Sequence, residues 1–386
     1  MLFIQFKPGQ LLMLAALLLL ACQHPSQQLP TASTNKSVHV IEAKPLRYAR
    51  NFGISQLKAT KRISVFTPWK GMNDTLHYEL GSTPSDASGI GTFIQTPVNS
   101  VVCLSTTHLA YLAALDLHEM VIGAAGTEWI NDSLMAERIN AGKIRNIGRD
   151  QQLNYETIVD LNPDLVFVFG VNASSMQTLK KLEELGVQSV VVSEYMEHHP
   201  LGKAEWIKFF AAFFGVEEQA DTLFSAVAER YLHIADLAGN VEHRPTVFTG
   251  LPWKGDWFVP GGKSFQATLF HDAGAAYLWA DNTETSGTVV DIEVVIERAL
   301  DADYWLNVND VESLKEIAAA DMRYSEFKAY SNRQVFNNNK EKNQNNGNDY
   351  WESGVVRPDR VLMDLVTIFH PGILPHHQLY YYQQLD

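Results

Sequence analysis

The side chains that could do chemistry in this chain are numerous but not grouped. There are 13 histidines, 44 Asp plus Glu and two cysteines in 386 residues. His198-His199 and His376-His377 are adjacent pairs, and neighbours on a strand point apart, so neither is a ready two-ligand metal site. His118, His233 and His243 read as solvated surface residues. The sequence contains no His-Glu-x-x-His and no Gly-x-Ser-x-Gly elbow. Gly261-Gly-Lys-Ser264 ends like a phosphate loop, but Trp257 stands five residues before Gly262, where that loop needs glycine. Gly89-Ile-Gly91 lacks the third glycine of a dinucleotide fingerprint and follows a Ser/Thr/Pro stretch. Two cysteines cannot build a disulfide framework or hold a metal cluster. No pair of carboxylates stands out by spacing for acid–base work. The expectation is a binding protein, not an enzyme, with no cofactor of its own.

The elements that would carry such a binding site are legible. Hydrophobic residues make up 46% and charged residues 19%, enough for a folded core. A net charge of −14 argues against a general nucleic-acid partner. Residues 38–97 alternate short apolar runs with Gly, Thr and Pro, which predicts strands and turns. From 99 the pattern becomes buried strands between helices: strands at Ser100–Leu104, Met120–Gly123, Asp164–Phe169 and 188–192, helices at Leu109–Leu117 and Met176–Leu185. Continuous apolar strands separated by helices predict a parallel sheet covered on both faces. Ala204–Phe214 reads as a helix stopped by Gly215. Glu217–Ala238 then runs without Pro or Gly, with Ala220, Leu223, Phe224, Val227, Tyr231, Ile234 and Leu237 in helical period, roughly 33 Å of helix. Strand–helix alternation restarts at Thr246–Thr249. The two halves share a weak repeat: Glu156 opens a helix before Asp164, and Glu293 opens one before Asp303. Asn332–Asn348 reads as a polar loop.

At the N-terminus, Lys7 precedes an apolar run, Leu11–Ala21, too short to span a bilayer. Leu19-Leu20-Ala21-Cys22 resembles the lipobox of bacterial lipoproteins, which implies lipidation of Cys22. The Gln/Ser/Thr/Pro-rich residues that follow suit a flexible tether. Cys103, within Val101-Val-Cys-Leu104, reads as a buried bystander. The expected organisation is a signal peptide (1–21), a tether with an N-terminal β segment (22–98), a first α/β lobe (99–215), an inter-lobe helix (216–240) and a second α/β lobe (241–386).

An ordered set of short motifs resembles the iron-complex and cobalamin substrate-binding proteins of ABC importers. It includes Leu104-Ser-Thr-Thr, Val121-Ile-Gly-Ala124, Ile147-Gly-Arg149, Asn154-Tyr-Glu156, Leu161-Asn-Pro-Asp-Leu-Val166 and Phe214-Gly-Val-Glu217. Val259-Pro-Gly-Gly-Lys-Ser264, Asp272-Ala-Gly-Ala275, Arg357-Pro-Asp359 and Ile368-Phe-His-Pro371 continue it, so the resemblance spans about residues 99–372. It implies two Rossmann-like α/β lobes joined by one long backbone helix, the class III periplasmic binding protein type. It also implies that Glu156 and Glu293 pair with arginines of a membrane permease. The implied role is capture of an iron(III)–siderophore or similar chelate between the lobes. Cobalamin and haem are the close alternatives; free zinc or manganese is a more distant one. The chain is then expected to be a monomer in the periplasm or cell envelope, held to the membrane by its lipid alone.

Ligands of parallel α/β sheets lie beyond the carboxyl ends of the strands. That rule selects Thr107, Trp129 and Tyr195 in the first half, with Val171-Asn172 also at a strand end. In the second half it selects Trp253 and Trp257, with Tyr350 and Trp351 on a loop that could close over the cleft. The aromatic rings would stack on a flat ligand, and Arg149 and Lys254 would neutralise an anionic one.

Overall fold

The computed structural model describes residues 42–149, 152–170 and 173–386. The signal, Cys22 and the tether fall outside the described residues, as does Val171-Asn172.

Five strands form the first sheet: β1 (Glu42–Lys44), β2 (Phe52–Gln56), β3 (Lys61–Val65), β4 (Leu76–Gly81) and β5 (Thr92–Gln95), antiparallel except for the β4–β5 pair. This β segment is not separate from the first lobe. Phe52 meets Trp206 at 4.7 Å and Phe209 at 5.8 Å between ring centroids. The Tyr78 hydroxyl accepts the Val191 N–H at 2.9 Å. Two buried carboxylates complete the join. Glu205 accepts the N–H groups of Arg47, Tyr48 and Ala49, and Glu197 those of Arg50 and Asn51. Each carboxylate therefore satisfies backbone donors that burial would otherwise leave unpaired.

The first lobe is a parallel sheet of β6 (Val101–Cys103), β7 (Val121–Ala124), β8 (Arg145–Asn146), β11 (Leu165–Phe169) and β12 (Ser189–Val192) in the order β12-β11-β6-β7-β8. A small hairpin, β9 (Gly148–Arg149) and β10 (Gln152–Leu153), interrupts it. The strands lie where their apolar runs predict, because a strand covered on both faces needs no alternation. The first helix starts earlier than predicted, at Thr106–Ala114, since Ser105 caps it by accepting the Thr107 N–H. The helix predicted over 204–214 is instead two, Pro200–Glu205 and Ile207–Phe214, the first opened by Pro200 with His199 as its cap. Cys103 is fully buried.

Glu217–Gly239 forms one 23-residue helix. It packs on Ile207–Phe214 of the first lobe and on Pro358–Phe369 of the second. Arg230 reaches the buried Asp359 at 2.8 Å, and the Tyr231 hydroxyl donates to Asp272 at 2.7 Å. The second lobe holds β13 (Thr246–Thr249), a ribbon of β14 (Trp257–Pro260) and β16 (Gly287–Val290), and β15 (Ala276–Tyr277). With β17 (Tyr304–Leu306), β18 (Val335–Asn337) and β19 (Gln383–Gln384) the main sheet has the order β15-β13-β17-β18-β19. Only β19 in it is antiparallel. No helix among the described residues is long and apolar enough to cross a membrane.

Two readings of the sequence need correction here. The Asn-rich stretch read as a polar loop is one only in part: Val335–Asn337 is a strand, Asn337, Asn338 and Asn339 are buried, and Asn337 and Asn339 donate to the Asn309 and Val311 carbonyls. His118 is mostly covered, with Nε2 3.3 Å from Asp132, so it is not a free surface histidine.

Candidate ligand-binding cleft

A cavity of about 530 Å³ lies between the two lobes. The first lobe contributes Thr106-Thr107 at a helix N-terminus, Phe169 at the end of β11, and Glu194–Met196 just beyond β12. The second contributes Pro260 at the end of β14, the start of the helix Phe265–Asp272, and Tyr350-Trp351. The first-lobe residues follow the carboxyl ends of parallel strands, where consecutive turns leave space for a ligand. Lys70 enters from the loop between β3 and β4.

Phe169, Tyr195, Phe265, Tyr350 and Trp351 give the walls aromatic rings from both lobes. Phe169 meets Tyr195 edge-on at 5.5 Å, and Tyr350 meets Trp351 at 4.8 Å and 88°. Tyr350 is buried, whereas Trp351 is 50% exposed. Burial raises both tyrosine phenols above their usual range.

Besides Lys70, two charged groups sit in this apolar setting. The Lys203 ammonium lies 4.2 Å from the centroid of the Phe265 ring, a contact from one lobe to the other. Burial lowers its pKa, with the field of Glu194 opposing. Glu194 accepts the Thr107 hydroxyl at 2.7 Å through Oε1, while Oε2 has no hydrogen-bond partner. Burial raises its pKa, with Lys203 opposing. An ammonium and a carboxyl held so near an apolar cavity suit a ligand with its own polar groups. Among the described residues, no three His, Cys, Asp or Glu side chains converge as a metal-ion site.

The residues selected from sequence divide. Thr107, Tyr195, Tyr350 and Trp351 line the cavity. Trp129 and Arg149 do not: the guanidinium lies 4.7 Å from the Trp129 ring and pairs with Glu128, making a surface cluster. Trp253 is at a loop tip, 59% exposed, with Lys254 over its ring at 4.2 Å. Trp257 is a correction. It is fully buried, its indole donates to the Thr249 carbonyl at 2.9 Å, and it stacks near Trp305, so it is core. Sequence reading passed over Lys203, Glu194 and Phe265. Phe265 follows the failed phosphate loop, whose Ser264 is instead the helix cap, accepting the Ala267 N–H. Glu194 was legible only as the neighbour of Tyr195, and nothing in the sequence marked Lys203.

Glu156 and Glu293 occupy the same place in their helices, the second residue after an Asn154 or Asp291 cap. Both are exposed. Glu293 pairs with Arg323 at 2.8 Å, and Glu156 lies beside a recess lined by Arg145 and Lys181.

An uncharacterized lipoprotein of Methanocaldococcus jannaschii is 32% identical over 294 residues, covering 72% of this chain and 66% of its own length. The chain thus spans just under two thirds of that relative. Among solved structures, a possible iron-binding periplasmic solute-binding protein from Staphylococcus epidermidis superposes with a TM-score of 0.57 at 18% identity, covering 71% of this chain and 100% of its own. A periplasmic heme-binding protein from Roseiflexus sp. RS-1 gives 0.55 at 20% identity, covering 71% and 99%. These likenesses carry the fold, two α/β lobes with a cleft between them. Residues 101–341 match the periplasmic binding protein family, and with both lobes and the joining helix in place the chain belongs to it.

Proposed function

We propose that this chain is the lipid-anchored substrate-binding protein of an ABC importer, and that it captures a metal chelate in the inter-lobe cleft. The observation that carries this reading is the cavity itself. Its volume of about 530 Å³ is in the range of small-molecule sites, and aromatic rings from both lobes face it. Phe169, Tyr195, Phe265 and Trp351 offer stacking surface to a planar or aryl-bearing chelate, with Lys203 and Glu194 meeting its polar groups. An iron(III)–siderophore is the preferred ligand, with cobalamin or haem as alternatives. Anchoring through Cys22 is supported by the lipobox and by the lipoprotein relative.

Glu156 and Glu293 are the proposed permease contacts. Their support is matched helix position and exposure, one on each lobe. A carboxylate in a first helical turn is also favoured by the helix dipole. The test is charge reversal. Glu156→Arg combined with Glu293→Arg is expected to leave chelate binding intact, read by tryptophan quenching, and to abolish uptake by cells. Normal uptake by the double variant contradicts the docking role. Failure of the wild-type chain to bind a ferric tris-catechol complex, cyanocobalamin or haemin at micromolar concentration contradicts the ligand role.

A further inference from the structure

The Asn-rich stretch and the residues after it do something the ligand cleft does not require. Asn343 Nδ2 of the second lobe donates to the Glu128 and Ile130 carbonyls of the first, both at 3.1 Å. Asn345 Nδ2 donates to the Glu128 carbonyl at 3.2 Å. Gly347 passes so close to this loop that a Cβ there would lie 2.0 Å from the Trp129 carbonyl oxygen. Glu352, 2% exposed, then closes the contact. Its Oε2 accepts the Asn131 N–H at 2.8 Å and the Asn131 amide at 3.2 Å, and its Oε1 accepts the Asp132 N–H at 3.0 Å. Side chains of one lobe thereby pair six times with a single loop of the other.

The same segment supplies the cleft. Tyr350 and Trp351, which line the cavity, lie between Gly347 and Glu352. Its conformation is stiffened from within: Asn343 Oδ1 accepts the Asn345 and Gly347 N–H groups at 2.9 Å, and Asn348 Oδ1 accepts that of Tyr350 at 3.0 Å. A rigid strap gripped by the opposite lobe at both ends cannot shift its aromatic pair without breaking that grip.

We propose that Asn343–Glu352 is an inter-lobe clasp, with Glu352 as positioning residue, that fixes Tyr350 and Trp351 against the ligand and so couples ligand retention to lobe position. The clasp stands on geometry alone; the coupling rests on the ligand reading above.

The test uses the full chain and hydrogen–deuterium exchange at the Asn131 and Asp132 amides. Glu352→Ala is expected to speed their exchange at least about tenfold, because both lose their acceptor. Asn343→Ala with Asn345→Ala touches neither amide, so faster exchange there reports release of the whole loop. Amides of Val101–Cys103 and Leu165–Phe169 serve as the folding control. Should Glu352→Ala disturb them, Glu352→Gln, which keeps one acceptor oxygen, decides in its place. Unchanged protection in the asparagine double variant overturns the clasp. For the coupling, the release rate of haemin, cyanocobalamin or a ferric tris-catechol complex, whichever the wild type retains, is expected to rise at least about fivefold in Glu352→Gln. An unchanged release rate overturns the coupling. If the wild type binds none of the three, the chelate reading and the coupling fall together, and exchange still decides the clasp.

Discussion

Tyr350, Trp351, Gly354 and Val355 face the ligand cleft, whereas Asp349, Glu352 and Ser353, interleaved with them, face a second recess of about 570 Å³. The two sides of this one segment are built differently. On the cleft side two charged groups are incompletely paired: Glu194 Oε2 is without a partner, and Lys203 rests on a ring. On the other side the polar groups are many and matched. Glu352 takes three donors, and Asp349 takes Ser353 and Tyr380. Incomplete pairing leaves a site with something to gain from a ligand, while complete pairing makes a joint. The comparison separates recognition from fixation within about a dozen residues.

The largest expected effect breaks the joint outright. Gly347→Val places a side chain against the Trp129 backbone, which cannot swing aside as a flexible side chain would. A loss of about 4 kcal/mol is expected in urea unfolding, at the upper end for single substitutions. A loss below about 1 kcal/mol means that the joint is looser than its geometry.

A somewhat smaller effect distinguishes the two sides by pH. Burial, with Asp349 adding repulsion, pushes the Glu352 carboxyl up to about 7, despite the donors from Asn131 and Asp132. Asp132, Glu341, Lys342, Arg357, Arg360 and Tyr380 also border this recess. A carboxyl raised in the folded state contributes stability that is present below its ordinary value near 4.5 and is lost as pH rises through about 7. The stability of wild type relative to Glu352→Gln is therefore expected to fall by up to about 3 kcal/mol between pH 4.5 and 8. A flat difference contradicts it.

The smallest effect lies outside both sides. Arg149→Ala removes an exposed pairing with Glu128 and a stack on Trp129, and is expected to cost under about 1 kcal/mol with chelate affinity unchanged. A marked affinity loss would extend the site beyond the cavity.

Much of the architecture was legible because its signals are local. The buried strands at 101–103 and 165–169 read as apolar runs, and the 23-residue helix read as a period uninterrupted by Pro or Gly. The site was half legible. Strand-end logic found Thr107 and Tyr195, since a parallel strand delivers its next residues to the cleft. The same logic failed at Trp257, where β14 belongs to a two-stranded ribbon that turns the indole into the core. It failed at Trp253 because the loop after β13 continues into a turn that carries the ring outward. Lys203 and Phe265 lie 62 positions apart and meet only once the lobes are assembled, so no local pattern marks them. The asparagines were misread for a related reason: their carboxamides cap carbonyls from distant segments, and composition alone reports only polarity.

Two tryptophans offer the most direct measurement. Trp351 and Trp253 are comparably exposed, at 50% and 59%, but only Trp351 lines the inter-lobe cavity. The full chain and the variants Trp351→Ala and Trp253→Ala are to be titrated side by side by calorimetry with whichever chelate the wild type binds. Loss of at least about tenfold in affinity is predicted for Trp351→Ala, as for a central aromatic contact, with wild-type affinity for Trp253→Ala. Equal affinities for all three proteins, or a loss confined to Trp253→Ala, would place the ligand outside the cleft.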